Sequence, residues 1–188
     1  MCQTFDRAGV KRSESILTKP PLGEYPAYYE TYVKLVQEGN LAEILVEQLQ
    51  TTTELMQSLT EETGDRKYSP GKWSIKEVLG HVADTERIMA YRMLCIARGD
   101  RTPLPGYDEN EYMAGASFAA SGLSDILKDY SAVRCSTLTL LRGIMEEAWL
   151  RTGTANNGLI SARALAAIIA GHERHHIHII QERYLSIV

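Results

Sequence analysis

The chain is poor in the features that mark several protein classes. No stretch approaches the roughly 20 consecutive apolar residues that a membrane span needs. The three cysteines, Cys2, Cys95 and Cys135, are odd in number, far apart and without a CxxC pair. That pattern argues against a disulfide framework or a zinc finger. A net charge of −4 offers no basic surface to a nucleic-acid backbone or an anionic membrane. The opening segment MCQTFDRAGVKRSESILTKPPLGEYP has charges but no apolar h-region, so it does not read as a secretory signal. Walker, GxGxxG, GxSxG and HExxH motifs are also missing. The absences together give the expectation of a cytoplasmic protein with no role for nucleic acid or membrane, and by themselves they name no partner.

What is present is enough for one helical domain, since 188 residues bury a sizeable core without a disulfide or a metal as a staple. Residues 1–25 are polar, end in TKPPLGEYP and read as an extended arm; residues 26–188 make the domain. A short helical candidate, AYYETYVKLVQEG, closes at Gly39. Four longer segments with helical periodicity follow. The first starts at Asn40, a suitable N-cap, and carries Leu41, Ile44, Leu45, Leu49, Leu55, Met56 and Leu59, with Gly64 beyond its end. The second starts at Ser74 with Glu77 three residues on, a capping box, and runs to Gly99. The third is expected from Ser124 through Met145. RTGTANNGL breaks it, and Ser161 caps the fourth, which runs to about Leu185. Sustained strand alternation is absent, and the expectation is an all-α four-helix bundle. DRTPLPGYDENEYMAGASF is a long loop between the second and third long helices, holding at most one helical turn, and such loops often carry function.

Four of the five histidines lie in GHERHHIHII, residues 171–180, and the fifth, His81, lies in EVLGHVADTE. A helix turns about 100° per residue. With His172 at zero, Leu165 falls near about 20°, Ile168 about −40°, Ile169 about 60° and Ile179 about −20°. His176 falls at about 40°, inside the same apolar stripe. His175 is on its shoulder at about −60°, and His178 points away at about −120°. Two inward imidazoles one turn apart can share a cation, or they can be core histidines bonded to backbone, Ser or Glu. Spacing alone leaves both open. His81, on the edge of the apolar face of the second helix, adds a third imidazole from a facing helix. Three ligands would leave positions open, as catalytic metals require.

Asp84, Thr85, Glu86 and Glu173 are candidates to support such ligands. Glu86 and Glu173 are instead expected on a solvated face or in an i, i+4 pair with a basic neighbour, and Asp84 fits either role. His175 and His178 read as supporting or surface residues. Tyr107, Asp108, Glu109 and Tyr112 in the long loop could reach over the bundle mouth, or could simply solvate it. Trp73 reads as a packing anchor, and Cys95 and Cys135 as small buried residues among apolar neighbours.

SPGKWSIKEVLGHVADTE, ARGDRTPLPGYDENEY and IIAGHERHHIHIIQERYL resemble the DinB/YfiT-like superfamily of metal-binding four-helix bundles, over about residues 40–186. The order is that family's: one histidine in the second long helix, then an HxxxH pair in the last. The resemblance therefore implies His81, His172 and His176 as metal ligands; Asp84, His175, Tyr107 and Asp108 stand, from their positions in the sequence, as candidates for support or for the substrate pocket. Zinc and nickel are the metals implied first; all-histidine ligation also permits iron or manganese. The family includes thiol S-transferases, a thiol-dependent isomerase, proteins known only as metal-dependent hydrolases, and damage-inducible proteins without a known reaction. The resemblance implies an enzyme in which a metal activates water or a low-molecular-weight thiol, and a homodimer. The alternatives are a non-catalytic bundle whose metal serves stability or sensing, with a closed fourth ligand such as Asp84 or a glutamate, and a metal-free bundle that uses the clustered histidines as a pH-responsive dimer surface.

Overall fold

Most of the expected helix starts are met by caps, as the chain order shows. The computed structural model describes residues 16–186; the first fifteen residues of the expected arm lie outside them. From Ile16 to Pro26 the chain is irregular but pinned to the domain. Leu17 is buried and its carbonyl accepts from the Leu41 amide at 3.0 Å. Glu24 accepts from Ser161 Oγ at 2.8 Å and from the Arg163 guanidinium. A 3-10 turn, Ala27–Tyr29, leads into the short α1 (Glu30–Val33). Asn40 accepts from the Ala42 amide at 2.9 Å and starts α2 (Leu41–Gln57). Thr60 caps the short α3 (Glu61–Gly64). Ser74 and Glu77 close the capping box of α4 (Ile75–Ala97), with bonds of 2.6 and 3.2 Å.

The long loop contains α5 (Glu109–Gly115), nearer two turns than the one expected, capped by Asp108. Helix α6 (Leu123–Arg142) begins after Gly122 without a side-chain cap, and Glu61 accepts from its Leu123 amide at 2.8 Å. It also ends sooner than expected. Met145 is half-exposed outside it, where a 3-10 turn, Glu146–Leu150, tucks in Trp149.

RTGTANNGL is more than a break. It folds with its neighbours into an antiparallel hairpin, β1 (Thr152–Ala155) and β2 (Gly158–Ser161), with Thr152 opposite Ser161. Asn156 and Asn157 take φ values of 48° and 61°, the left-handed pair that a two-residue hairpin turn demands and that Asn tolerates. Strands of four residues are too short to show alternation. Ser161 then caps α7 (Ala162–Ile179) through the Ala164 amide, and a π-helical stretch, Ile180–Leu185, extends it.

The long helices α2, α4, α6 and α7 form the bundle. Its apolar interior is in two parts. Leu41, Leu45, Met93, Leu138 and Leu165 belong to one, and Met56, Leu79, Leu127, Tyr130 and Ile180 to the other. Between them every long helix contributes buried polar side chains: Gln48 and Thr52 from α2; His81, Thr85 and Glu86 from α4; Arg134 and Thr137 from α6; His172 and Glu173 from α7. The bundle is thus crossed by a polar layer at mid-height. Cys95 and Cys135 are only partly buried. No helix among the described residues is long and apolar enough to cross a membrane.

Candidate metal centre

His81 on α4 and His172 and His176 on α7 meet in the polar layer. His172 Nε2 lies 3.1 Å from His81 Nε2 and 3.1 Å from His176 Nε2, and the three nitrogens all lie within 4.8 Å of one another. Trp73 packs against the His81 ring at 4.9 Å between centroids, and Tyr32 packs edgewise on His172 at 5.1 Å. The Tyr32 contact depends on Gly171, because a Cβ there would run into the Tyr32 carbonyl. A glycine is what lets the backbone near α1 come this close to α7.

The donor set does not close on itself. A neutral imidazole nitrogen is either an N–H donor or a single lone pair, so His172 Nε2 cannot serve two facing nitrogens at once. Protonation is no remedy. Burial pushes the pKa of His81 down to about 4 and that of His176 down to about 3. His172 is held well below its ordinary value by burial, then by the charges its neighbours would carry. A divalent cation takes three lone pairs without any proton. Nitrogens 2.0–2.1 Å from a metal are about 2.9 Å apart in octahedral and about 3.3 Å apart in tetrahedral geometry. The 3.1 Å separations fall between, so these residues fit such an ion.

A cavity of about 220 Å³ reaches His172, walled by Tyr28, Tyr32, Thr85, Tyr107 and Glu109. Tyr107 Oη and Thr85 Oγ1 share a hydrogen bond of 2.8 Å. Burial raises the pKa of the Tyr107 and Tyr32 hydroxyls, keeping both protonated at neutral pH. Asp108 does not line this cavity; its carboxylate caps α5 through the Asn110 amide at 2.8 Å. Asp84 pairs with Arg87 at 2.9 Å, and burial raises its pKa. His175 packs edgewise against Tyr32 and His176, with ring centroids 5.4 and 5.0 Å away. His178 is exposed and faces Glu182 at 3.2 Å. The sequence brought no notice of Tyr28, whose hydroxyl reaches the Asn156 carbonyl at 3.2 Å.

Glu86 and Glu173 require a correction. Neither lies on a solvated face: they are 2% and 1% exposed. Both bind Arg134, itself 0% exposed. Its Nε and Nη2 reach Glu86 at 2.8 Å each, Nη2 reaches Glu173 at 2.5 Å, and Nη1 donates to the Leu45 carbonyl at 3.0 Å. Tyr130 Oη and Thr52 Oγ1 donate to Glu173 at 2.7 and 2.6 Å. The basic partner comes from α6, about 40 residues away in sequence, so no local spacing could reveal it.

Fold and site together define a helical bundle with a three-histidine centre in a polar mid-layer. Residues 44–180 match the family model of the DinB superfamily, and the chain belongs to that family. The protein of Oceanobacillus iheyensis named "Putative metal-dependent hydrolase OB0413" is 26% identical over 138 residues, 70% of this chain and 79% of its own length. Among solved structures, YfiT from Bacillus subtilis, described as "a probable metal-dependent hydrolase with an unusual four-helix bundle topology", superposes with a TM-score of 0.70. It is 20% identical, over 78% of this chain and 85% of YfiT. A mycothiol-dependent maleylpyruvate isomerase superposes with a TM-score of 0.62 at 13% identity, over 73% of this chain and 58% of the isomerase. These likenesses establish the four-helix bundle of the fold.

Proposed function

We propose that the chain is a metal-dependent enzyme acting on a small molecule, of the hydrolase or thiol S-transferase type. The observation that carries this reading is the convergence of His81, His172 and His176 Nε2 beside a cavity. Zinc or nickel is the expected ion, with iron and manganese as further candidates. Once bound, such an ion supplies a Lewis-acid position that lowers the pKa of a water or thiol ligand. The chain's own contributions are positional. His81 and His172 are held by the packing of Trp73 and Tyr32. The Tyr107 and Thr85 hydroxyls offer hydrogen bonds on the cavity wall, and Glu109 places a carboxylate at its mouth. Hydrolase names among relatives support water as the activated group, and the mycothiol-dependent isomerase supports a thiol.

An open site is favoured over a closed structural or sensing one by the state of the nearby acids. Asp84 is paired with Arg87, and Glu86 and Glu173 with Arg134. Among the described residues the triad is the one group of three or more potential ligands that meets at a point. Elemental analysis of the purified protein tests the reading. About one equivalent of divalent metal is expected per chain, falling below about a tenth in His176→Ala together with any turnover of ester, amide or thiol-transfer substrates. Wild-type protein that stays metal-free after incubation with zinc and nickel would overturn it.

A further inference from the structure

Three lysine or arginine side chains are buried among the described residues: Lys76, Arg92 and Arg134. Lys76 pairs with Glu61 and Asp65 at 2.7 and 2.8 Å, and Arg134 with Glu86 and Glu173. Arg92, 3% exposed, has no carboxylate partner among the described residues. Its guanidinium donates to the Pro105 carbonyl at 2.6 Å, leans on Met89 Sδ at 3.6 Å and sits 5.9 Å from the Tyr107 ring centre. A carbonyl, a thioether and a ring face are all neutral. A buried cation normally has a counter-charge; this one lacks it, and it lines a second cavity.

That cavity, of about 310 Å³, lies against Tyr107 on α4's side of the long loop, with Leu104, Pro105, Tyr107 and Tyr112 as apolar and aromatic walls. Tyr107 also walls the cavity that reaches His172. The second arginine of the wall, Arg87, is already bonded to Asp84 and Asp129. One positive charge is therefore left over, which matches a singly charged carboxylate better than a phosphate monoester. Arg92 follows His81 by eleven residues on α4, about three turns or 16 Å of helix. Its side chain leans back toward Met89, in the N-terminal direction that helical side chains take, which shortens the span to the triad.

We infer that Arg92 binds the carboxylate of a small organic acid whose apolar or aromatic body rests on Leu104, Pro105 and Tyr107. As a statement about substrate, this rests on the metal-enzyme reading, with the acid's far end directed past Tyr107 to the histidines. As a statement about binding, it stands without the metal. The acid group belongs either to the substrate or to a carboxylate-bearing thiol, and both present the same chemistry to Arg92.

Benzoate and its neutral isostere benzamide are suitable probes, titrated by NMR into the metal-free His176→Ala variant, where a carboxylate cannot report on a metal. Benzoate should shift the Arg92 side-chain resonance and the Leu104 and Tyr107 amides saturably, while benzamide at equal concentration should not. Arg92→Gln should weaken benzoate by about tenfold or more, and Arg92→Lys, which keeps charge but loses the bidentate fork, by less. Equal response to the two probes, or undiminished benzoate binding to folded Arg92→Gln, overturns the inference. Should Arg92→Gln fail to fold, the benzoate–benzamide contrast still decides. Repeating the titration with thiol-bearing and thiol-free carboxylates on the metal-loaded wild type separates the two sources: tighter binding of the thiol acids assigns the carboxylate to the cofactor, and equal binding assigns it to the substrate. Benzoate binding in wild-type protein that stays metal-free after incubation with zinc and nickel would sustain this site and remove the enzyme reading; metal in the wild type without benzoate binding would do the reverse.

Discussion

Two buried polar clusters share α4 and α7, and they differ in whether they are complete. Around Arg134, positive charge meets negative and each guanidinium nitrogen finds an acceptor within 2.5–3.1 Å. At the triad, three like groups face one another, and the central nitrogen has one site for two neighbours. His172 and Glu173 are consecutive residues, about 100° apart on α7, so one helix turn feeds both. The contrast separates a polar cluster that holds helices together from one that asks for a ligand. Burial is common to both and does not distinguish them; donor–acceptor balance does.

Arg134→Leu is the strongest way to break this contrast. It strands Glu86 and Glu173 without a counter-charge and should lower the unfolding free energy by about 3–5 kcal/mol, read by urea denaturation. His172→Leu in metal-stripped protein should change it by less than about 1.5 kcal/mol, since no charge is stranded. Comparable losses in the two variants would erase the distinction.

Acid should act on the triad next. In metal-stripped protein the histidines of the unfolded chain protonate near 6.5, whereas His81 and His176 in the fold wait until about 4 and about 3. As pH falls below about 6.5 the unfolded state takes up protons first, so stability present at neutral pH is lost down to those lower values. Between pH 7 and 5 the loss should be about 2 kcal/mol for each of the two residues. Thermal melts across that range would show it, and a slope unchanged in His176→Ala would refute it. The smallest effect is Thr52→Val, which removes one of two hydroxyl bonds to Glu173 Oε1. It should cost about 1–2 kcal/mol in the same urea assay.

The helix caps at Asn40, Ser74 and Ser161 were legible because a cap is local, set by residues within four positions. The inward placement of His172 and the outward one of His178 were legible for the same reason, through helical phase. The Arg134 cluster was not, because its members come from four helices, and a glutamate bound for the core looks in sequence like one bound for water. The hairpin was missed although Asn156-Asn157 signals it, since four-residue strands carry too little pattern to outweigh the helices around them. Arg92 gave no sign at all; its meaning lies in what fails to stand next to it.

The hairpin also holds the long loop. Leu104 donates to the Thr154 carbonyl at 2.9 Å and accepts from the Asn156 amide at 3.0 Å, bridging to Ala155. The loop is thus anchored at its root, and further along it Tyr107 and Glu109 wall the cavity that reaches His172. Roof and floor of the site are consequently separate modules of the chain. The histidine floor stands on α4 and α7, and the roof meets α4 through Pro105, Tyr107 and Phe118, so α5, which buries no residue, is the part that can be rewritten without repacking the bundle. Under the proposed function, exchanges in the roof would change which molecule enters while leaving His81, His172 and His176 in place.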